Sequence, residues 1–285
     1  MTISRALQLS IILGLVCVLP MSAQFEPPRL SQKATVSQRI GVTDVTITYS
    51  RPGVKGRTIW GALVPYDQPW RTGANEATTI AFTDGVKING NALAAGEYAL
   101  FTIPGKGDWT LIFNKVSDQW GAFSYDAAKD ALRVNVKPQA ADASEELVTF
   151  AFPRVAEDSA DVTLSWEKIV IPFTITVDTK ANAHTRAVTS VSKAAADDWK
   201  PAYRAAAYAF EDNAGWPESE GWLDKSIGIN RNYSNLNLKA RMLAKKGDTK
   251  QAIALAEEAI KLGQAATPKA NTAATEKLLA EWKGK

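Results

Sequence analysis

The sequence predicts a chain in two parts: an antiparallel β-sandwich followed by an all-α region of helical hairpins. Three observations predict it. Short runs of apolar–polar alternation, broken by tight turns, fill residues 33–178, and no long crossover helix separates them. After Asp178 alanine becomes frequent, and apolar residues fall three and four apart. Features of that second part then recur: Leu223 and Ile227 match Ala256 and Ile260 at an offset of 33, and Ala206 matches Ala240 at an offset of 34.

The N-terminus reads as a secretory signal over residues 1–23. Arg5 supplies the positive region, LQLSIILGLVCVL (7–19) the apolar core, and Met21-Ser22-Ala23 the cleavage site. The apolar run is shorter than the roughly 20 residues of a membrane span. The expectation is therefore a periplasmic or secreted protein without a transmembrane span once cleaved. A lipoprotein at Cys17 is disfavoured, because Val16 before it is not small. Cleavage removes Cys17, the only cysteine, and with it any disulfide, thiolate nucleophile or cysteine-ligated metal. Residues 24–32, with Pro27-Pro28, read as an extended arm.

Within the sandwich, Val45 to Tyr49 has the alternation of a half-buried strand. VKINGNAL (86–93) is a hairpin, since Asn89-Gly90 tolerates the positive φ angles of a type I′ turn. Further strands are expected at 96–103, 109–114, 132–136, 146–152, 161–166 and 168–177, with Pro172 marking an edge or a bulge. Helices follow. The first spans about 181–195. The second is capped by Asp197 or Asp198, and Pro217 opens the third. Ser234 caps the fourth, with Leu236, Ala240 and Leu243 inward and Gly247 at its end. The fifth carries Ala252, Ala256 and Ala259 to Gly263. Thr267-Pro268 starts the last, with Ala274, Leu278 and Trp282 inward. The period and the small inward residues resemble the tetratricopeptide repeat, with one good unit at about 233–266 and a degenerate one before it. Such a surface would take a peptide or protein partner.

Composition narrows the chemistry. A net charge of +3 without long runs of like charge gives no footprint for nucleic acid. His184 is the only histidine, so Ser-His-Asp and Cys-His catalysis lack their parts. One histidine and no mature cysteine make a poor zinc set, and no Asp-x-Asp-x-Asp calcium loop is present. No cofactor and no metal are expected. Carboxylates remain: Asp67, Glu76, Asp84 and Glu97 lie in the loop-rich part, and a pair of them could hydrolyse a glycan.

The stretch RPGVKGRTIWGALVPYDQPWRTGANEATTIAF (51–82) holds the densest chemistry. Its loop is longer than most ordered loops, which tend to be functional or to pack on themselves. The candidate ligand-binding residues are Arg51, Lys55, Arg57, Trp60, Tyr66, Trp70, Arg71, Asn75 and Glu76. In a binding reading, Trp60 and Trp70 are stacking platforms and Arg71 is an anion or carboxylate clamp, for a small ligand, glycan or peptide. In a packing reading, the rings plug the mouth of the sandwich, Arg71 pairs with Glu76, and Asn75 caps the loop. Both stand on the sequence.

These residues, with ALAAGEYALFTIPGKGDWTLIFNK (92–115), resemble the bacterial domain of unknown function 2911, over about residues 31–178. RTGANEAT is its most specific part. The resemblance implies an exported protein of the kind common in Bacteroidota, in which a helical region often follows the domain. It implies no activity and carries no catalytic residue. The resulting expectation is a non-enzymatic binding or scaffold protein. A carboxylate-based hydrolase of envelope glycans and a purely structural envelope component are the alternatives.

Overall fold

The computed structural model describes residues 27–284; the signal segment 1–23 and the first part of the arm lie outside them. Within the described residues, strands β1 (Gln32–Ile40), β2 (Thr43–Arg51), β3 (Thr79–Phe82), β6 (Gly96–Ile103), β7 (Trp109–Asn114) and β8 (Asp130–Val136) form one antiparallel sheet in the order β1-β2-β3-β6-β7-β8. A second sheet has the order β5-β4-β10-β9, from β4 (Val86–Ile88), β5 (Asn91–Leu93), β9 (Gln139–Val155) and β10 (Ser159–Val177).

Alternation explains the stacking. Val45, Ile47 and Tyr49 of β2 are buried while Asp44, Thr46 and Thr48, which alternate with them, are not, and Val162, Leu164 and Trp166 of β10 repeat the pattern. Side chains of alternate positions share a face, so these rows meet between the sheets in one core with Ile80, Leu100, Phe113 and Phe150. The outer face of the larger sheet is partly covered too: Phe101 and Ile112 pack under Tyr125. Asn89 and Gly90 both take positive φ, 46° and 84°, as their hairpin requires.

The expected strands at 161–166 and 168–177 are one strand. Glu167, at φ 54°, sits in a bulge where the β9–β10 register shifts, so the chain bends without ending. Pro172 falls between the pairing of Val170 to β9 and that of Ile175 to β4, where its missing N–H disrupts no ladder.

Six helices follow: α1 (Thr179–Lys193), α2 (Lys200–Glu211), α3 (Ser219–Ile229), α4 (Tyr233–Lys245), α5 (Thr249–Ala265) and α6 (Ala273–Lys283). Asp178 caps α1, accepting from the Ala181 amide at 2.9 Å. Four starts differ from expectation: helix α3 begins at Ser219, so Pro217 lies in the turn before it. Helix α2 begins after Trp199, which makes no side-chain cap bond, while Asp198 accepts from the Lys200 amide. Helix α4 is capped by Asn232, not Ser234, in a reciprocal box with Asn235. Helix α6 begins at Ala273, so Thr267-Pro268 lies in the connection before it. Leu243 is half-buried and Ala274 exposed; Leu236 and Ala240 are buried as expected, with Asn235, Leu238 and Met242 beside them in α4 and Thr275 in α6. Helix α1 joins the two parts. Thr179 packs where a Cβ on Gly41 would lie, Asn182 donates to Thr43 at 3.2 Å, and Arg186 pairs with Asp84 at 2.7 Å. His184, on the same helix, lies 3.2 Å from Glu218 and beside Trp216. No helix among the described residues is long and apolar enough to cross a membrane.

Candidate functional site

Residues 52–78 link β2 to β3 across one end of the sandwich. Apolar anchors hold them there: Ile59, Val64 and Trp70 are buried in the inter-sheet core. Trp70 is also pinned by its backbone, which exchanges hydrogen bonds with Thr102 of β6 at 2.8 and 2.9 Å. Its ring lies 5.5 Å from that of Trp166 at 17°, a stacked pair. Trp60 meets Trp70, Trp109 and Trp166 edge-on. These rings fill one another's faces, so Trp60 and Trp70 are not open platforms for a sugar ring. That part of the binding reading is corrected: the tryptophans close the mouth of the sandwich.

The turn after Trp70 is tightly held. Trp70 Nε1 donates to the Gly73 carbonyl at 3.1 Å. Thr78 returns two bonds, its amide to Arg71 O and its hydroxyl to Thr72 O. Thr72 sits at φ 56° and Asn75 at φ 59°. A β-branched residue at positive φ is strained, and such strain persists only where surroundings over-determine it. Asn75 reaches the arm, donating to Ser31 O at 3.1 Å and to Ser50 Oγ at 3.2 Å. It ties the arm to the turn, where a cap of its own loop was expected.

The charged residues separate. Arg51 points to β9, donating to Val148 O and to Thr149 Oγ1, and so braces the two sheets. Glu76 does not pair with Arg71. Arg29 of the arm takes it, at 2.5 Å, and this bond holds the Glu76 carboxyl below its usual range. The Arg71 side chain has no hydrogen-bond or ion-pair partner among the described residues, and its Nε is buried. Burial pulls its pKa down, but a guanidinium stays charged at any physiological pH. Tyr66 covers Gly61, whose φ of 79° and missing Cβ make room for the ring.

Arg71, Lys55, Arg57, Trp70 and Asn75 all line one cavity of about 390 Å³, under the 52–78 segment and beside the arm. Arg51, Trp60, Tyr66 and Glu76 do not line it. Pro52, Leu63, Val64 and Ala74 give it apolar wall, and no acidic residue among the described residues lines it. Arg57 donates to the carbonyls of Val54 and Gly53, which fixes its head near the rim. The nearest carboxylate with a recorded bond to this rim is Glu146, which accepts from the Lys55 amide at 2.9 Å. Sequence reading missed Trp166. It lies on β10, almost a hundred residues from the loop, and looked like an ordinary core position. It lines the cavity while 1% exposed, and its Nε1 has no partner.

Glu76 lies in a second cleft, of about 320 Å³, with Glu97, Asp118 and Lys33. Asp67 and Asp84 lie elsewhere, Asp84 in the pair with Arg186. No group of three acidic or histidine side chains able to hold a metal occurs among the described residues.

Neither the curated proteins nor the solved structures include a match to this chain. A family model does match, over residues 31–175, about half of the chain and nearly all of the sandwich. The chain belongs to the family described as protein of unknown function DUF2911.

Proposed function

We propose that this chain is an exported, non-enzymatic binding protein, periplasmic or secreted after cleavage near Ala23, whose sandwich takes a small ligand in the cavity under residues 52–78. One observation carries the reading: the half-buried Arg71 side chain lines that cavity with neither a hydrogen-bond nor an ion-pair partner among the described residues. Buried donors are nearly always satisfied, and each exception calls for a reason. A bound ligand supplies one. The cavity volume falls in the usual range for small-molecule sites. The helices are read as tetratricopeptide-like hairpins that offer a surface to a peptide or protein. Equivalent burial supports this: Ala206 and Ala240, and Leu223 and Ala256, are all fully buried.

The test is thermal unfolding and tryptophan emission of the mature protein against neutral glycans, short peptides and small organic acids. A ligand at a hundred times its Kd adds about 2.7 kcal/mol. For a chain of this size that is a rise of about 5–10 °C. Emission should shift with it, because Trp70 and Trp166 line the cavity. No rise and no shift with any class would refute the reading.

A hydrolase acting on envelope glycans is the second reading, favoured by Glu76 and Glu97 lining one cleft. Glu76, held ionised by Arg29, would be base or nucleophile, and Glu97 the acid. Turnover lost in Glu76→Gln with the fold intact would favour it over the first.

A further inference from the structure

The cavity's charge balance says more than its shape. Three cations line it, Lys55, Arg57 and Arg71, and no anion among the described residues does. Arg57 spends hydrogen bonds on Val54 and Gly53, but no carboxylate among the described residues neutralises it. The Arg71 side chain has neither kind of partner among the described residues. A half-buried guanidinium gives up hydration, and inside a low-dielectric wall its attraction for an anion is stronger than in water. The remaining wall is apolar and aromatic: Pro52, Leu63, Val64, Trp70 and Trp166. A ligand matching this wall has a compact oxyanion at one end and an apolar body at the other.

Resting on the proposal that the cavity binds a ligand, we infer that the ligand is a small organic anion, a carboxylate or a phosphate monoester with an apolar body, whose charged head is clamped by Arg71. Arg57 and Lys55 at the rim draw it in and exclude cations. Arg suits both heads, because its fork offers two parallel donors to two oxygens. Neutral sugars find no open ring face here, and cations meet three like charges.

The experiment is a tryptophan-fluorescence titration of the mature wild-type protein with benzoate, phenyl phosphate, inorganic phosphate and the uncharged benzamide. Benzoate or phenyl phosphate should bind at least about 10-fold more tightly than benzamide. Their binding should weaken as salt is added. Which of the two is tighter identifies the head. Arg71→Met should weaken the better anion by about 10- to 100-fold, the value of one charge-assisted contact, while Arg71→Lys loses less. Benzamide equal to benzoate would overturn the anion inference, yet leave the cavity as a ligand site. Inorganic phosphate as tight as phenyl phosphate would overturn the apolar body. If no probe binds, while a neutral glycan or peptide does in the wider panel, the anion inference alone fails. If nothing in either set binds, the binding reading itself fails. Should Arg71→Met not fold, the acid–amide comparison on wild type decides without it.

Discussion

Replacing Arg71 by methionine should stabilise the ligand-free protein. The change keeps an unbranched stem of similar reach and removes the guanidinium. In the native structure the Nε is buried without a partner, and no carboxylate among the described residues compensates the charge. An unsatisfied buried donor costs about 1–3 kcal/mol. Arg71 is only half-buried, so its outer nitrogens keep some water, and the lower end applies: about 1 kcal/mol recovered. For a domain pair of this size that is a melting temperature about 2–4 °C higher. The assay is calorimetric or circular-dichroism unfolding in ligand-free buffer, with Arg71→Lys beside it. Lysine keeps the charge but puts a methylene where the buried Nε lies, so it should recover part of the gain. Such a gain is the usual mark of a residue held for function at the expense of stability. A fall of several degrees in Arg71→Met would refute the reasoning. Arg71 would then be a packing residue, and the argument for a clamped anion would lose its base.

Three other outcomes follow from the same geometry. Gly73→Ala should cost about 1–3 kcal/mol, since the new Cβ would stand 2.9 Å from Ser50 O and 3.1 Å from Thr78 Oγ1 in a buried turn; denaturant unfolding measures it. Glu76 is held below its ordinary pKa, first by the hydrogen bond from Arg29. Its contribution to stability is therefore present above the unfolded carboxyl pKa, about 4.3, and is lost as pH falls through the folded value. In Arg29→Ala a carbon-detected NMR titration should find Glu76 titrating at higher pH, and an unmoved titration would exclude the pair. Tyr125 is pushed up to about 12, by burial first and then by its bond to the Asp130 carboxylate. Its share of stability is full below the ordinary phenol pKa, about 10, and is lost as pH rises toward 12. Absorbance at alkaline pH should show Tyr125 titrating earlier in Asp130→Asn.

The sequence by itself determined the order of the parts and most of the elements. Alternation over Val45–Tyr49 and the Asn89-Gly90 turn are local signals, and local geometry obeyed them. So did the alanine stripes at Ala252, Ala256 and Ala259, all fully buried. Boundaries were less legible. A bulge at Glu167 joins what read as two strands, and Asn232 takes the cap in a box with Asn235, two residues before Ser234. The site was half legible. RTGANEA announced itself through its crowd of turn, aromatic and charged residues, and Arg71 was among the residues singled out. Tertiary structure alone decided which partner each charge found. Arg29, from the arm, reaches Glu76 before Arg71 can, and Thr149 and Val148 occupy Arg51. It also decided that Trp60 and Trp70 turn inward, because Trp109 and Trp166 arrive from distant strands to meet them. Pairing across the fold depends on which strands become neighbours, and residue spacing along the chain carries no record of that. Arg71 is left facing a cavity with its charge unanswered for this reason.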